Sequence, residues 1–313
     1  MPALICGSFA YDSIMVFPGR FADQILPNQI HVLNVSFLVP EMRREFGGCA
    51  GNIAYNLGMI GGNGHAMGAV GNDFAPYSEW MDRNGLSRDY LHTVPQAYTA
   101  QAYITTDMDD NQITAFHPGA MSHAHEIDVP RGAGISWGMI SPDGRDAMLL
   151  HARQFADAGI PFVFDPGQGL PMFDGDELTQ FVEMASVVTV NDYEGQMLQE
   201  RTGLSAEQIS ARVDAYVVTR GSQGSVVIRS GKVLEIPPAL PQQVVDPTGC
   251  GDAYRAGLLF GLMKEADWET TGRIASLMGA IKVASPGTQN HAVTPESFSE
   301  AYRENFGQAA GLW

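Results

Sequence analysis

Short apolar runs alternate with helical patterns along most of the chain. The runs predict buried strands because they are brief, apolar throughout and followed by turn residues. They are Ala3–Phe9, Ala66–Val70, Ala147–Leu150, Pro161–Phe164, Val187–Val190, Tyr216–Thr219 and Val226–Ile228. Helical spacing separates most of them, near residues 152–158, 176–184 and 192–202. Strands and helices in alternation predict an α/β fold with a mostly parallel sheet covered on both faces.

Two stretches depart from this alternation and predict a second, small sheet. The first contains the β-prone runs Ser13–Phe17 and His31–Val39, and the second, Thr99–Phe116, alternates between apolar and polar residues. We therefore expect a β-sheet that lies on the main domain and is built from about residues 13–46 and 97–118.

A glycine-rich turn at Gly249-Cys250-Gly251 precedes a helix that is predicted from Asp252 to about Met263. Residues without a Cβ let backbone N–H groups approach a ligand closely. A helix N-terminus also offers unpaired N–H groups and the positive end of the helix dipole, so the turn predicts an anion site. Asp252 has two interpretations here: a helix cap, or a general base beside a phosphoryl acceptor.

Composition limits the classes of protein that fit. The 313 residues are 45% hydrophobic, enough for a sizeable core, and we predict a single domain over 1–313. The net charge of −17 argues against nucleic acid or an anionic membrane surface as a partner. No run reaches the roughly 18 apolar residues of a membrane span. Because Cys6, Cys49 and Cys250 are odd in number and far apart, we expect free thiols and a cytoplasmic location.

Polar residues follow several predicted strands, where ligands of parallel sheets bind. Asp12 comes after the first strand and could face a substrate or belong to a turn. Asn191 and Glu194 follow another strand with i, i+3 spacing, which suits either a hydrated Mg²⁺ or a capping box. The glycine-containing run from Thr219 to Gly224 by itself predicts a hairpin.

Three histidines and one phenylalanine lie at or after the predicted end of the small sheet. His117, His123 and His125 do not predict a metal site, because no cysteine or second ligand cluster accompanies them. Phe116 is interpreted either as a stacking face for a base or as a cover for the core.

Two motifs carry a family resemblance. Asp246–Gly257 resembles the C-terminal signature of the PfkB (ribokinase-like) family of carbohydrate and nucleoside kinases, an Asp-Thr-x-Gly-Ala-Gly-Asp run. Pro247 and Cys250 differ from the usual residues, but both glycines and Asp252 are kept. Gly47–Asn52 is similar to the family's Gly-Gly-x-x-x-Asn motif. The resemblance implies a three-layer α/β/α fold with a β-sheet lid, which in some members mediates dimerisation.

The resemblance also implies roles for individual residues. The catalytic group would be the base Asp252 with the backbone N–H groups of Gly249, Cys250 and Gly251. Substrate would be bound by Asp12, Gly47, Gly48, Asn52 and Phe116. ATP would lie beside Asn191, Glu194, Thr219, Gly221 and Gly224, with Mg²⁺ held through water by Glu194. Asp246, with backbone near Thr248 and residues 285–287, would provide a K⁺ site.

The expected reaction is transfer of the ATP γ-phosphate to the 5′-hydroxyl of a purine nucleoside, adenosine first. Sugar kinases of the family resemble Gly-Gly-Lys-Gly-Ala-Asn, whereas Cys49 stands at the lysine position here. Phe46, Tyr103 and Phe116 offer aromatic faces for a base, and Asp12 and Asn52 would hold the ribose hydroxyls. The alternatives are a ribokinase- or fructokinase-type sugar kinase and a non-catalytic sugar- or nucleoside-binding protein. No Gly-x4-Gly-Lys-Ser/Thr run is present, which excludes a P-loop kinase.

Overall fold

The computed structural model describes residues 1–25, 34–109 and 111–312. Its strands are β1 Ala3–Cys6, β2 Ala10–Val16, β3 Glu41–Gly47, β4 Gly64–Gly71, β5 Tyr90–Val94, β6 Ala100–Thr106, β7 Gln112–His117, β8 Trp137–Ile140, β9 Phe162–Phe164, β10 Val187–Asn191, β11 Ala215–Thr219, β12 Ser225–Arg229 and β13 Lys232–Ile236. Its α-helices are α1 Phe21–Gln24, α2 Cys49–Met59, α3 Ala75–Arg83, α4 Arg145–Asp157, α5 Gly175–Met184, α6 Asp192–Thr202, α7 Ala206–Ser210, α8 Cys250–Met263, α9 Trp268–Val283 and α10 Pro295–Phe306.

Nine strands form the central sheet, in the order β13-β12-β11-β10-β9-β8-β1-β4-β5. The pairings from β11 to β5 are parallel, and β12 and β13 are added by antiparallel pairings. The chain leaves β1 toward β4 on one side and later returns to its other side as β8. In such sheets ligands bind at the carboxyl ends of the strands where the order reverses. This rule places a ligand beyond the end of β1.

Side chains of successive strand residues point to opposite faces, and each face is covered by helices. In β1, Ala3 and Ile5 join a core with residues of α2, α8, α9 and α10, whereas Leu4 and Cys6 join a second core with residues of α4 to α7. The three-layer α/β/α prediction is therefore confirmed. Within the described residues, no helix combines the length and apolar character needed to span a membrane.

The lid is a separate four-stranded sheet in the order β3-β2-β6-β7. Its register aligns Glu45, Asp12, Ala102 and Phe116 in one row across the four strands. Because directly paired residues place their side chains on the same face, Asp12 and Phe116 share a face of the lid. Tyr103 is one residue out of step with that row and faces the other side.

Two predicted strands need correction. Ala147–Leu150 was predicted as a strand but lies in α4, where Ala147, Met148, Ala152 and Phe155 form one buried helical face. The four-residue apolar run was too short to reveal its period of 3.6. The first strand ends at Cys6 rather than Phe9, so Asp12 lies within lid strand β2 instead of following β1.

The predicted run His31–Val39 begins outside the described residues, and residues 34–39 have no regular structure. The lid strand follows it, as β3 Glu41–Gly47. Strands β5, β8 and β13 were not predicted. β13 has only one buried residue, Ile236, which explains why its sequence carries little hydrophobic signal.

Candidate active site

The N-terminus of α8 is built by its glycines. Gly249 caps the helix with a φ of 78°, a left-handed conformation that favours glycine. The first helical hydrogen bond runs from Ala253 N–H to the Gly249 carbonyl (3.0 Å), so the N–H groups of Gly251 and Asp252 precede the helical ladder. The Cys250 N–H, however, donates to the Pro247 carbonyl at 3.1 Å. This turn uses one of the three donors that the sequence analysis assigned to the phosphoryl group.

Asp252 is held by a side chain rather than by its own helix terminus. Its Oδ2 accepts a hydrogen bond of 2.8 Å from the Asn52 amide of α2, and the N-cap position of α8 is occupied by Gly249. Burial raises the pKa of Asp252 to about 6. The hydrogen bond from Asn52 and the charge of Arg255 oppose this rise, and the charge of Asp165 adds to it. A carboxyl with this pKa is ionised near neutral pH and remains basic enough to accept a proton.

A continuous hydrogen-bond chain joins Asp252 to the base of the lid. The Gln289 amide donates to Asn52 Oδ1 at 2.8 Å and to the Tyr77 hydroxyl at 2.6 Å, and Tyr77 donates to the Gly47 carbonyl at 2.9 Å. Asn52 and Gln289 are 3% and 2% exposed, so the chain is shielded from solvent. Asn52 therefore has a contact that was not predicted: besides its expected role toward the ribose, it positions the carboxylate of Asp252.

A buried ion pair lies beneath the glycine turn. Arg255 of α8 donates from Nε and Nη2 to the two oxygens of Asp165, at 2.9 and 3.0 Å. Its Nη2 also lies 3.8 Å from Glu194. Sequence reasoning missed both members of the pair. Asp165 follows β9 directly, so the rule that ligands bind at the carboxyl ends of strands could have identified it.

The predicted ATP residues lie at the ends of neighbouring strands. Asn191 ends β10 and is in register with Thr219, which ends β11. Asn191 and Glu194 form a capping box, with hydrogen bonds of 2.8 Å in both directions. Gly221 and Gly224 have φ values of 54° and 83° in the turn that follows β11. The capping-box interpretation is confirmed, and the second oxygen of Glu194 remains for other contacts.

The predicted substrate residues line the lid side of the site. An added Cβ at Gly47 would lie 2.5 Å from Asp12 Oδ2, so glycine is required there for the carboxylate to fit. Gly48, at φ 91°, would bring a Cβ to 2.5 Å from the backbone of Phe9. Burial and the charge of Glu45 raise the pKa of Asp12 to about 6. The structure thus brings Asp12, Gly47 and Gly48 to the base of the lid.

Two of the three predicted aromatic faces lie elsewhere. Phe46 packs into a cluster of aromatic rings, with centroids 4.7 Å from Tyr77 and 5.5 Å from Trp80. Tyr103 lies on the opposite face of the lid from Asp12. Only Phe116, half of whose surface is exposed, shares the face of Asp12.

His123 bonds Glu126 at 2.7 Å, and no described group of His, Cys, Asp and Glu is arranged to hold a metal directly.

The raised pKa of Asp252 predicts the pH dependence of turnover. The kcat/KM of the free enzyme should rise through an apparent pKa of about 6, because the protonated carboxyl cannot accept a proton. Replacing Asn52 with Ala removes a hydrogen bond that favours the ionised form. The acid limb of a pH–rate profile should therefore move to higher pH in Asn52→Ala.

Asp12 provides the control for this profile, because burial also raises its pKa to about 6. If Asp252 is the source of the acid limb, Asp12→Asn keeps the limb even where it raises KM. A limb that stays in place in Asn52→Ala and disappears in Asp12→Asn would assign it to Asp12.

The geometry at the α8 N-terminus agrees with a match to a known family. The chain matches the pfkB family of carbohydrate kinases over residues 9–295. It therefore belongs to this family, whose members transfer a phosphoryl group to an alcohol acceptor.

Among solved structures, the chain is similar to a nucleoside kinase of Burkholderia thailandensis in complex with inosine. The identity is 48% and the TM-score 0.90, over 98% of this chain and 99% of that chain. A second structure of that protein, in complex with ADP-inosine, gives 50% identity and a TM-score of 0.87, over 98% and 97% of the two chains. A nucleoside kinase of Methanocaldococcus jannaschii is 31% identical over 263 residues, which are 83% of this chain and 86% of that protein.

Proposed function

We propose that this kinase transfers the γ-phosphate of ATP to the 5′-hydroxyl of a purine nucleoside. The observation that carries the proposal is the arrangement of Asp12 and Phe116 in one row of the lid, on the face that also bears Glu45. Glu45 bonds Asn290 at 2.7 Å, so this face of the lid looks toward the α8 side of the site. A ribose held by Asp12 would place its base along the lid, toward Phe116.

The chemistry requires positioning and charge stabilisation more than covalent steps. Asp252 accepts the proton of the 5′-hydroxyl while Asn52 fixes the orientation of its carboxylate. The N–H groups of Gly249 and Gly251 face the transferring phosphoryl group, and the dipole of α8 favours its negative charge. Asn191, Thr219 and the glycines of the following turn border the nucleotide.

A nucleoside requires an apolar slot that a free sugar does not. Ala102 pairs directly with Asp12 in the row that contains Phe116. Ile14 and Ile104 lie two residues further along their strands, so they share the same lid face. The match to a nucleoside kinase that binds inosine supports the same class of acceptor. Adenosine, our first expectation, and inosine differ only in the base, so both belong in the test.

We expect adenosine and inosine to exceed ribose and fructose in kcat/KM. Stacking of a base on an aromatic ring contributes about 1–3 kcal/mol, which corresponds to roughly 5–150-fold. Phe116→Ala should therefore lower kcat/KM for the nucleosides by about this factor and leave ribose unchanged. Initial rates with each acceptor at fixed ATP and magnesium measure both effects.

Tyr103→Ala is the matched control, because it removes an aromatic ring from the opposite face of the same strand pair. Its nucleoside kinetics should equal those of the unmodified protein. A preference for ribose or fructose over both nucleosides would reject the proposal in favour of a sugar kinase.

We further propose that Mg²⁺ accompanies ATP and is held through water by Glu194. The charge of Arg255 is shared by three carboxylates, Asp165, Glu194 and Asp252, so the site keeps a net negative charge that suits a hard cation bound through water. Burial and the charge of Asp165 raise the pKa of Glu194, while Arg255 opposes the rise. When bound, the ion neutralises charge on the phosphates.

Glu194→Gln should shift the magnesium titration of activity to higher concentration, because the substitution removes a charge and keeps the side-chain size. Glu177→Gln is the matched control, since Glu177 completes the capping box of α5, away from the predicted ATP residues. Equal titrations for the two variants would reduce Glu194 to a helix cap.

We also propose that two copies associate through the lid face opposite Asp12, the face that bears Tyr103, and that the protein is cytoplasmic. Met42, Met15 and Ile113 lie in one row of that face, and Met42 and Ile113 are 69% and 45% exposed. All three cysteines are free thiols, as suits a reducing compartment. Light scattering tests the proposed dimer. Met42→Glu should convert the dimer to a monomer, and an unmodified protein that is already monomeric would reject the proposal.

A further inference from the structure

The predicted K⁺ site contains a positive charge of the protein itself. The Nζ of Lys282 donates to the backbone carbonyl of Asp246 at 2.8 Å and to that of Ser285 at 3.1 Å. These carbonyls belong to the two segments that were expected to supply K⁺ ligands. Backbone carbonyls bind K⁺ by replacing its hydration shell. Here both carbonyl oxygens already accept hydrogen bonds from an ammonium group.

Lys282 is built into this position. It lies in the last turn of α9, and its side chain is fully buried. An unpaired ammonium would be costly at such a site, so its two carbonyl partners are part of its stability. The carboxylate of Asp246 is also occupied, by the N–H groups of Thr248 and Gly287 at 2.9 Å each. This donor set does not fit a K⁺ ion, because its oxygens are bonded and the ammonium would repel the ion.

We propose that the ammonium group of Lys282 is an internal cation that takes the place of a dissociable monovalent cation in this kinase. An ammonium group and K⁺ carry the same charge and are similar in size. Lys282 is a positioning residue: it ties the loop that precedes the α8 anion site to the loop that follows α9. The kinase therefore has no requirement for K⁺, whichever acceptor it uses.

The backbone between Asp246 and Gly249 connects Lys282 to the proposed phosphoryl site. Asp246 begins the segment that leads through Thr248 to Gly249, whose N–H group faces the phosphoryl site. Burial opposes ionisation of Asp246, but hydrogen bonds from Thr248 and Gly287 and the charge of Lys282 lower its pKa. Loss of the ammonium would leave two carbonyls facing each other without a cation. The loop would then lose its fixed path into α8.

The first experiment uses the unmodified protein. Initial rates are measured with inosine and ATP at constant ionic strength, with choline, Na⁺ or K⁺ as the monovalent cation. An activating effector typically changes affinity by roughly 5–150-fold, whereas we expect these rates to agree within about two-fold. Activation by K⁺ relative to choline beyond that range would overturn the proposal. Absence of nucleoside turnover in every salt would instead reject the proposed acceptor.

The second experiment uses Lys282→Ala, which opens the space that the ammonium occupied. In choline its kcat should fall, and K⁺ or NH₄⁺ should restore it by roughly 5–150-fold. K⁺ should also raise the melting temperature of the variant relative to choline, an effect that does not depend on catalysis. Lys232→Ala, which changes an exposed lysine of β13, should behave like the unmodified protein in both assays.

Two results would contradict the role of Lys282. One is full activity of Lys282→Ala in choline, and the other is a folded variant that neither K⁺ nor NH₄⁺ restores. Where the variant does not fold, the salt comparison on the unmodified protein decides the question alone.

Discussion

Replacing Asp252 with Asn should lower kcat by about 10²–10⁴-fold, the usual contribution of a positioned general base. The substitution keeps the side-chain size and the position at the third residue of α8, but the amide cannot accept the proton of the acceptor hydroxyl. Binding of ATP should change little, because the proposed nucleotide contacts lie on β10, β11 and the glycine turn. Single-turnover rates and nucleotide affinity, measured on the same preparation, separate the two quantities.

Asp267→Asn is the matched control for this prediction. Asp267 caps α9 and accepts a 2.9 Å hydrogen bond from Thr270 N–H, which is the role that the alternative interpretation gives to Asp252. Asparagine is also a good cap, so the control should retain both stability and turnover. If Asp252→Asn keeps turnover within a few-fold, as the control does, then Asp252 is not the general base.

The glycine turns were predictable because their signals are local. The φ of Gly249 requires a residue without a Cβ, and this glycine stands at the N-cap of the helix it serves. The same is true of the capping box formed by Asn191 and Glu194. Such features depend on residues a few positions apart, which is the range that sequence patterns report.

The long-range contacts were not predictable. Gln289 bonds Asn52 across 237 positions, and Arg255 bonds Asp165 across 90. Gln289 and Arg255 do not stand out in their own segments of the sequence, since a polar residue in a helix or loop usually faces solvent. Only the packed sheet brings these side chains together. The faces of Phe46 and Tyr103 in the lid were unpredictable for a related reason, because a one-residue shift in strand register reverses every side chain.

Arg255→Met should lower the free energy of unfolding by about 3–5 kcal/mol, the cost of removing one partner of a buried ion pair. Arg255 and Asp165 have side chains that are 6% and 4% exposed, so water cannot replace the lost hydrogen bonds. The same substitution should raise the pKa of Asp252, because the charge of Arg255 lowers it. Urea denaturation measures the first effect, and the acid limb of the pH–rate profile measures the second.

Arg83→Met is the control for the unfolding measurement, because Arg83 forms an exposed i, i+4 pair with Glu79. Exposed pairs of this kind contribute about 0.3–0.5 kcal/mol, so the control should be close to the unmodified protein. The double variant Asp165→Leu with Arg255→Met should recover most of the lost stability, since an apolar pair of similar volume avoids the unpaired charge. The acid limb should also return toward its original position, because the double variant removes the charge of Asp165, which raises the pKa of Asp252, together with the charge of Arg255, which lowers it. If Arg255→Met is as stable as Arg83→Met, then Asp165 finds another partner in the variant. The ion pair between Arg255 and Asp165 would then not hold the glycine turn in place.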